Sequence, residues 1–252
     1  MTGGRPPAGW HPEVRTLHLL EGARAATGLV VVIDVFRAFT LAPCAIARGA
    51  RRIRLAATPE EALALKAADP GLVLAGERDG KPLPGFDFPN SPAAILGADL
   101  AGRTVVLRTS AGVQGLLAVD PACEVLTGSF INAAATVARI RARRPARLSL
   151  VCMGWSGAER SAEDEACAAY LAQAVAGDPP PFAPIRAALR RDPGGAKFFD
   201  PAQPWFPAED FGVCLRLSEL DFALRRVVDP EGRPWLVPVT ASTDAEESPG
   251  AL

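Results

Sequence analysis

Apolar positions along this chain follow two rhythms. Short runs rich in Val, Ile and Leu alternate with longer Ala- and Leu-rich stretches that are apolar along one side. That alternation is the mark of βα units built around a largely parallel sheet. It predicts strands at 28–33, 52–56, 72–75, 104–108, 124–127 and 147–152, an edge strand at 14–19, and two short late strands at 225–228 and 235–239. Helices are predicted at 39–48, 59–67, 114–119, 133–143 and 162–175; Thr58 before Pro59 supplies a capping hydroxyl ahead of a proline at the first helical position. After Gly177, prolines and glycines interrupt every pattern and predict a loop-rich return path. The expected architecture is a three-layer α/β/α sandwich around a mixed, largely parallel sheet, one domain over 1–240 with a frayed tail at 241–252.

Polar clusters sit where the apolar runs stop. Ligands in open α/β sheets gather beyond the carboxyl ends of the strands, so these clusters are expected to meet in one crevice. Asp34 ends the run Leu29 to Ile33 and brings a carboxylate to a central strand end, with Arg37 three residues on. Gly76-Glu77-Arg78 follows the run 72–75, and Gly85-Phe86-Asp87-Phe88-Pro89-Asn90-Ser91-Pro92 gathers turn residues, an apolar anchor and three polar side chains. Two strand-to-helix corners, Thr109-Ser110-Ala111-Gly112 and Gly128-Ser129-Phe130-Ile131-Asn132, place hydroxyls beside glycine, where backbone N–H groups can meet an anion or Ser and Asn can cap a helix. Ser161-Ala162-Glu163-Asp164 reads equally as a capping box or as metal ligands. Arginine forks match phosphate or carboxylate oxygens while Asp and Glu ligate hard cations, so the mixture suits an anionic substrate held beside a metal.

Composition narrows the field. A net charge of −1 excludes the broad positive excess of a nucleic-acid footprint. Lys66, Lys81 and Lys197 are the only lysines, and the arginine run at 139–147 reads as the solvated end of a helix. Five cysteines without a C-x-x-C pair argue against a disulfide framework and for a reducing, cytoplasmic setting. No apolar run approaches the roughly 18 residues that span a bilayer, so no membrane partner is expected. Only His11 and His18 are present, which leaves acid–base work to carboxylates. Cys152 reads as structural, with a reactive thiol as the minor reading; homo-oligomerisation is left open.

Taken together, Val32-Ile33-Asp34-Val35-Phe36-Arg37-Ala38, Gly76-Glu77-Arg78, Gly85-Phe86-Asp87 with Asn90-Ser91-Pro92, Gly128-Ser129-Phe130 with Asn132, and Ser161 with Glu163-Asp164 resemble the 2-phosphosulfolactate phosphatase family of coenzyme M biosynthesis. The likeness covers roughly 28–175, with a looser one at Glu209-Asp210 and Cys214. It implies an Mg²⁺-dependent phosphatase that cleaves a small anionic phosphoester, 2-phosphosulfolactate, to sulfolactate and phosphate. Carried onto matching positions, it implies catalytic roles for Asp34, Arg37, Glu77 and Arg78, and metal ligation among Asp34, Glu77, Asp87, Glu163 and Asp164. Substrate contacts would come from Asn90, Ser91, Thr109, Ser110, Gly112, Ser129 and Asn132. One corner departs: such proteins look like Thr-Thr-Asn-Gly-Thr where this chain has Thr109-Ser110-Ala111-Gly112-Val113. Loss of an amide and a hydroxyl there keeps a second reading open, a non-catalytic binder of a phosphorylated or sulfonated acid.

Overall fold

A computed structural model describes residues 9–242; most of the predicted tail, 243–252, lies outside the described residues. Chain order runs β1 Glu13–His18, α1 Leu19–Ala25, β2 Leu29–Ile33, α2 Ala38–Ala47, β3 Arg52–Leu55, α3 Pro59–Ala68 and β4 Val73–Arg78. Two short strands, β5 Lys81–Pro82 and β6 Phe88–Pro89, precede α4 Pro92–Leu96, β7 Thr104–Arg108, α5 Gly112–Ala118, β8 Val125–Gly128, α6 Ala133–Arg143 and β9 Arg147–Cys152. The last part holds α7 Ala162–Ala176, α8 Phe182–Arg191, α9 Pro193–Ala196, a 3₁₀ turn Lys197–Phe199, α10 Ala208–Cys214, β10 Ala223–Val228 and β11 Pro234–Val239.

The result is a three-layer α/β/α sandwich around a mixed, largely parallel sheet. Every residue of β2 is buried, as expected for a central strand covered on both faces. Its side chains alternate between two cores. Val30 and Val32 pack with residues of α1, α2, α4 and α5, while Leu29, Val31 and Ile33 pack with α6, α7 and α10. A smaller cluster of Ala56, Ala62, Leu74 and Val106 seats α3 on the second half of the sheet.

Sheet order is β1-β9-β2-β8-β10-β11-β3-β7-β4, with β5 and β6 flanking β4. The set β1, β9, β2, β8 is parallel, as is β3, β7, β4; the late hairpin β10–β11 joins them through antiparallel pairs on both sides. The two parallel halves therefore run in opposite senses, which would send their carboxyl ends to opposite edges of a flat sheet. They meet nonetheless: β2 and β7 are separated by β8, β10, β11 and β3, but α5, which follows β7, packs against β2, and Gly112 N at its start reaches the Asp34 carboxylate at 2.8 Å.

Two expectations are corrected here. The region after Gly177 is helical over much of its length, since Pro193 occupies a first helical turn and Pro181 and Pro207 stand at helix starts, where a missing N–H costs nothing. The strand expected to end at Ala75 continues to Arg78, so Glu77 lies within β4 and not beyond it. Gly76 permits this: a Cβ there would lie 2.0 Å from the Arg108 carbonyl oxygen of the adjacent β7.

Candidate active site

At the convergence of the two halves, a cleft with room of about 30 Å³ is lined by Asp34, Arg37, Glu77, Asn90, Ser110 and Ala111, with Trp155 and Phe206 closing it. Asp34 follows β2 and is nearly fully buried. Its Oδ1 accepts from Ala38 N at 3.2 Å and its Oδ2 from Gly112 N at 2.8 Å, so the amino ends of α2 and α5 both address it. Burial, reinforced by the nearby charges of Glu77 and Glu163, outweighs those two amides and pushes its pKa up to about 7.

Glu77 reaches the same cleft from β4. Its Oε1 accepts from Ser110 N at 2.5 Å, and its Oε2 accepts from Gly80 N at 2.6 Å and Ser110 Oγ at 3.2 Å. Beside it, Arg108 Nη1 donates to the Glu77 carbonyl at 2.5 Å. Arg37 lines the cleft but is heavily engaged. Its Nη1 donates to Asp210 Oδ2 at 2.9 Å and to the Trp205 carbonyl at 2.8 Å, its Nη2 donates to the Gly80 carbonyl at 3.1 Å, and Phe206 lies under the guanidinium at 4.5 Å. Asp210, fully buried, also accepts from Ser91 Oγ at 2.7 Å and Ala93 N at 2.9 Å. Ser91 thereby ties α4 to α10, and its hydroxyl also caps α4 through Ala94 N.

The start of α7 adds two buried acids. Asp164 accepts from Val35 N and Gly154 N, each at 2.8 Å, and so pins the loop after β2 to the loop after β9. Glu163 faces a neighbouring open cavity of about 480 Å³, which shares Trp155 with the cleft, and its buried Oε2 has no hydrogen-bond partner. Burial raises the pKa of both, and for Asp164 the charges of Glu163 and Asp34 add to it. Lys197 lines that second cavity with its ammonium 4.1 Å from the Trp155 ring and 4.7 Å from that of Phe206; burial lowers its pKa, opposed by Glu163, Asp34 and Asp164.

A match to the family model described as 2-phosphosulpholactate phosphatase covers residues 15–184, well over half of the chain. The chain belongs to that family. A relative named "Probable 2-phosphosulfolactate phosphatase" from Bacillus subtilis (strain 168) is 33% identical over 212 residues, 82% of this chain and 90% of its own length. A protein of the same name from Deinococcus radiodurans is 38% identical over 130 residues, 51% of this chain and 54% of that relative. Lys197, Phe206 and Asp210 all lie outside residues 15–184, yet Phe206 lines the cleft, Asp210 holds Arg37, and Lys197 lines the cavity beside it.

Of the residues singled out by sequence, the structure brings Asp34, Arg37, Glu77, Asn90 and Ser110 to one cleft and Glu163 to the cavity beside it. Thr109 caps α5 by accepting from Val113 N at 3.1 Å, with Gly112 bound to Asp34. Others lie apart. Arg78 is largely solvent-exposed and pairs with Glu60 at 3.6 Å, while Asp87 accepts from Lys66 Nζ at 2.6 Å and Leu74 N at 2.7 Å near α3. Ser129 and Asn132 are buried and bonded to each other at 3.2 Å, with Asn132 Nδ2 donating to the Phe222 carbonyl at 3.2 Å. In the departing corner, Val113 packs into the core, whereas Ala111 lines the cleft. Cys152 is buried away from the cleft, and its thiol pKa is pushed up by burial.

The donor set fits a hard divalent cation. It offers carboxylates and one amide oxygen: Asn90 Oδ1 is buried without a hydrogen-bond partner. Among the described residues no three carboxylates have oxygens within 4.8 Å of one another, so at most two carboxylates would hold such an ion. That is how Mg²⁺ is usually held, the rest of its octahedron being water and substrate phosphate.

Sequence reasoning did not find Lys197, Trp155, Phe206 or Arg108. A signal for the first existed: in a chain with 27 Lys and Arg residues, Lys197 is one of three lysines.

Proposed function

We propose that this protein is an Mg²⁺-dependent phosphoric monoester hydrolase acting on 2-phosphosulfolactate. The observation that carries the reading is the buried Asp34 carboxylate, held by two backbone amides at the strand end and sharing its cleft with Glu77 and Arg37. Asp34 and Glu77, with Asn90 Oδ1, would hold Mg²⁺, which when bound neutralises phosphoryl oxygens in a reaction that is among the slowest uncatalysed ones in water. Arg37, fixed in place by Asp210 and Phe206, adds positive charge without having to reorganise during the reaction. Ser110, whose Oγ donates to Glu77 Oε2, holds that carboxylate in place. The attacking group is either a water held at these carboxylates or the Asp34 carboxylate itself. Trp155 and Phe206 exclude bulk water on one side.

Lys197 in the adjoining cavity receives the acid group remote from the phosphate, since its ammonium rests on aromatic faces and keeps its donors for an anion. The five cysteines are free thiols, four of them buried, which suits the reducing cytoplasm. No helix among the described residues is long and apolar enough to cross a membrane.

Phosphate release from 2-phosphosulfolactate, assayed with Mg²⁺ and again after chelation, tests this reading. Turnover is expected only with the metal, and Asp34→Asn should lose at least about a thousandfold, the scale of removing a preorganised charged group. Undiminished turnover under chelation, or in Asp34→Asn, overturns it; tight binding without turnover identifies a binding protein instead.

A further inference from the structure

We propose that His18, Cys152 and Glu165 form a second metal site, one for a thiophilic divalent cation of the zinc class, separate from the phosphatase cleft. His18 and Cys152 close the neighbouring parallel strands β1 and β9 and are directly opposite in register, so their side chains share one face of the sheet. Glu165 comes down onto that face from the first turn of α7. His18 Nδ1, Cys152 Sγ and a Glu165 carboxylate oxygen all lie within 4.8 Å of one another, the only set of three such groups among the described residues. Nδ1 stands 3.1 Å from Glu165 Oε1, yet it is a buried atom without a hydrogen-bond partner.

Donor chemistry selects the ion. One imidazole nitrogen, one sulfur and one carboxylate oxygen match the ligand types of Zn²⁺, whereas Mg²⁺ and Ca²⁺ take oxygen alone. Bonds of about 2.0–2.3 Å to a tetrahedral ion require donors roughly 3.3–3.8 Å apart, so small side-chain rotations close the set. The His18 side chain, 30% exposed, leaves a path for the ion and room for water as fourth ligand. On binding, the Cys152 thiol gives its proton to solvent, and thiolate plus carboxylate cancel the two charges of the ion while imidazole stays neutral. Arg160, whose Nε donates to Glu165 Oε1 at 2.9 Å, steadies the carboxylate from outside. Such a clip would join the edge strand β1 to β9 and to the helix that carries Glu163 and Asp164.

The test is a titration of the full chain, stripped of metal, with Co²⁺ in the presence of excess Mg²⁺ to saturate oxygen-only sites. Expected are a sulfur-to-cobalt charge-transfer band and tetrahedral d–d bands that saturate at one equivalent and vanish on adding Zn²⁺. Cys152→Ser should lose the charge-transfer band, and His18→Ala and Glu165→Gln should weaken Co²⁺ binding at least tenfold. A folded protein without the sulfur band at saturation overturns the proposal, as does a band that survives Cys152→Ser and so belongs to another thiol such as the half-buried Cys123. Circular dichroism of each variant confirms folding; if Cys152→Ser does not fold, undiminished Co²⁺ affinity in both His18→Ala and Glu165→Gln overturns it.

Discussion

Exchanging Asp34 for Asn in metal-free protein should stabilise the fold at alkaline pH. The native state raises the pKa of this carboxyl from an ordinary 3.8 to about 7, chiefly by burial. Between those values the unfolded chain has released the proton and the folded one still holds it, so stability falls as pH rises through the interval. Above both, the folded protein carries a burial penalty of about 4 kcal/mol, taking 1.36 kcal/mol for each tenfold change in acidity. Asparagine removes that penalty but turns an amide NH₂ toward either Ala38 N or Gly112 N, which now lacks an acceptor, at a cost of about 1–3 kcal/mol. The net expectation is a gain of about 1–3 kcal/mol near pH 8 that shrinks by about 2–3 kcal/mol near pH 5, where wild-type Asp34 is already protonated. Urea unfolding with chelator at both pH values measures it. A difference between variant and wild type that stays within about 0.5 kcal/mol across the two pH values would refute the argument, because Asp34 would then ionise alike in both states. Added Mg²⁺ should stabilise wild type more than the variant.

Removal of Asp210 leaves the buried Arg37 charge without its partner, so Asp210→Ala should cost about 3–5 kcal/mol in urea unfolding, and Arg37→Met in the same chain should recover much of that loss. Purely additive losses in the double variant would show that the two do not interact. Gly112→Ala places a Cβ 2.6 Å from Asp34 Oδ2 and 3.0 Å from the Phe39 ring; displacement of the carboxylate should lower kcat by about a hundredfold with the fold retained by circular dichroism. Lys197→Met should raise KM about tenfold for a phosphoester bearing a second acid group, with kcat little changed and no effect on a phosphoester lacking one; equal effects on both substrates would remove Lys197 from acid-tail recognition.

Local signals carried much of the architecture. The apolar run 29–33 was readable as a doubly covered strand because no alternation interrupts it, and Thr58-Pro59 as a helix start because cap and proline both belong there. Prolines in 178–207 misled the reading, since the same residue that stops a helix in its interior is welcome in its first turn. That Asp34 and Glu77 would meet in one crevice was legible from their placement after strand-like runs. Arg78 and Asp87, equally polar and equally placed by spacing, fall outside the cleft because neighbours on β4 point to opposite faces and because Lys66 holds Asp87 against α3.

What the chain determined by itself is local: which stretches become strands or helices, where they begin, and which polar residues stand at their ends. Those properties rest on φ/ψ preference, capping and the two periodicities of burial, all settled within a few residues of sequence. The tertiary structure alone decided that the late hairpin β10–β11 enters the middle of the sheet, that the segments following β2 and β7 meet although their half-sheets run in opposite senses, and that Phe206 returns from the far part of the chain to line the Asp34 cleft, with Asp210 on Arg37 and Lys197 in the cavity beside it. Each of these depends on burial and hydrogen bonding between residues tens to more than a hundred positions apart, as when Asp210 holds Arg37 and Ser91, and no local pattern encodes such a partner.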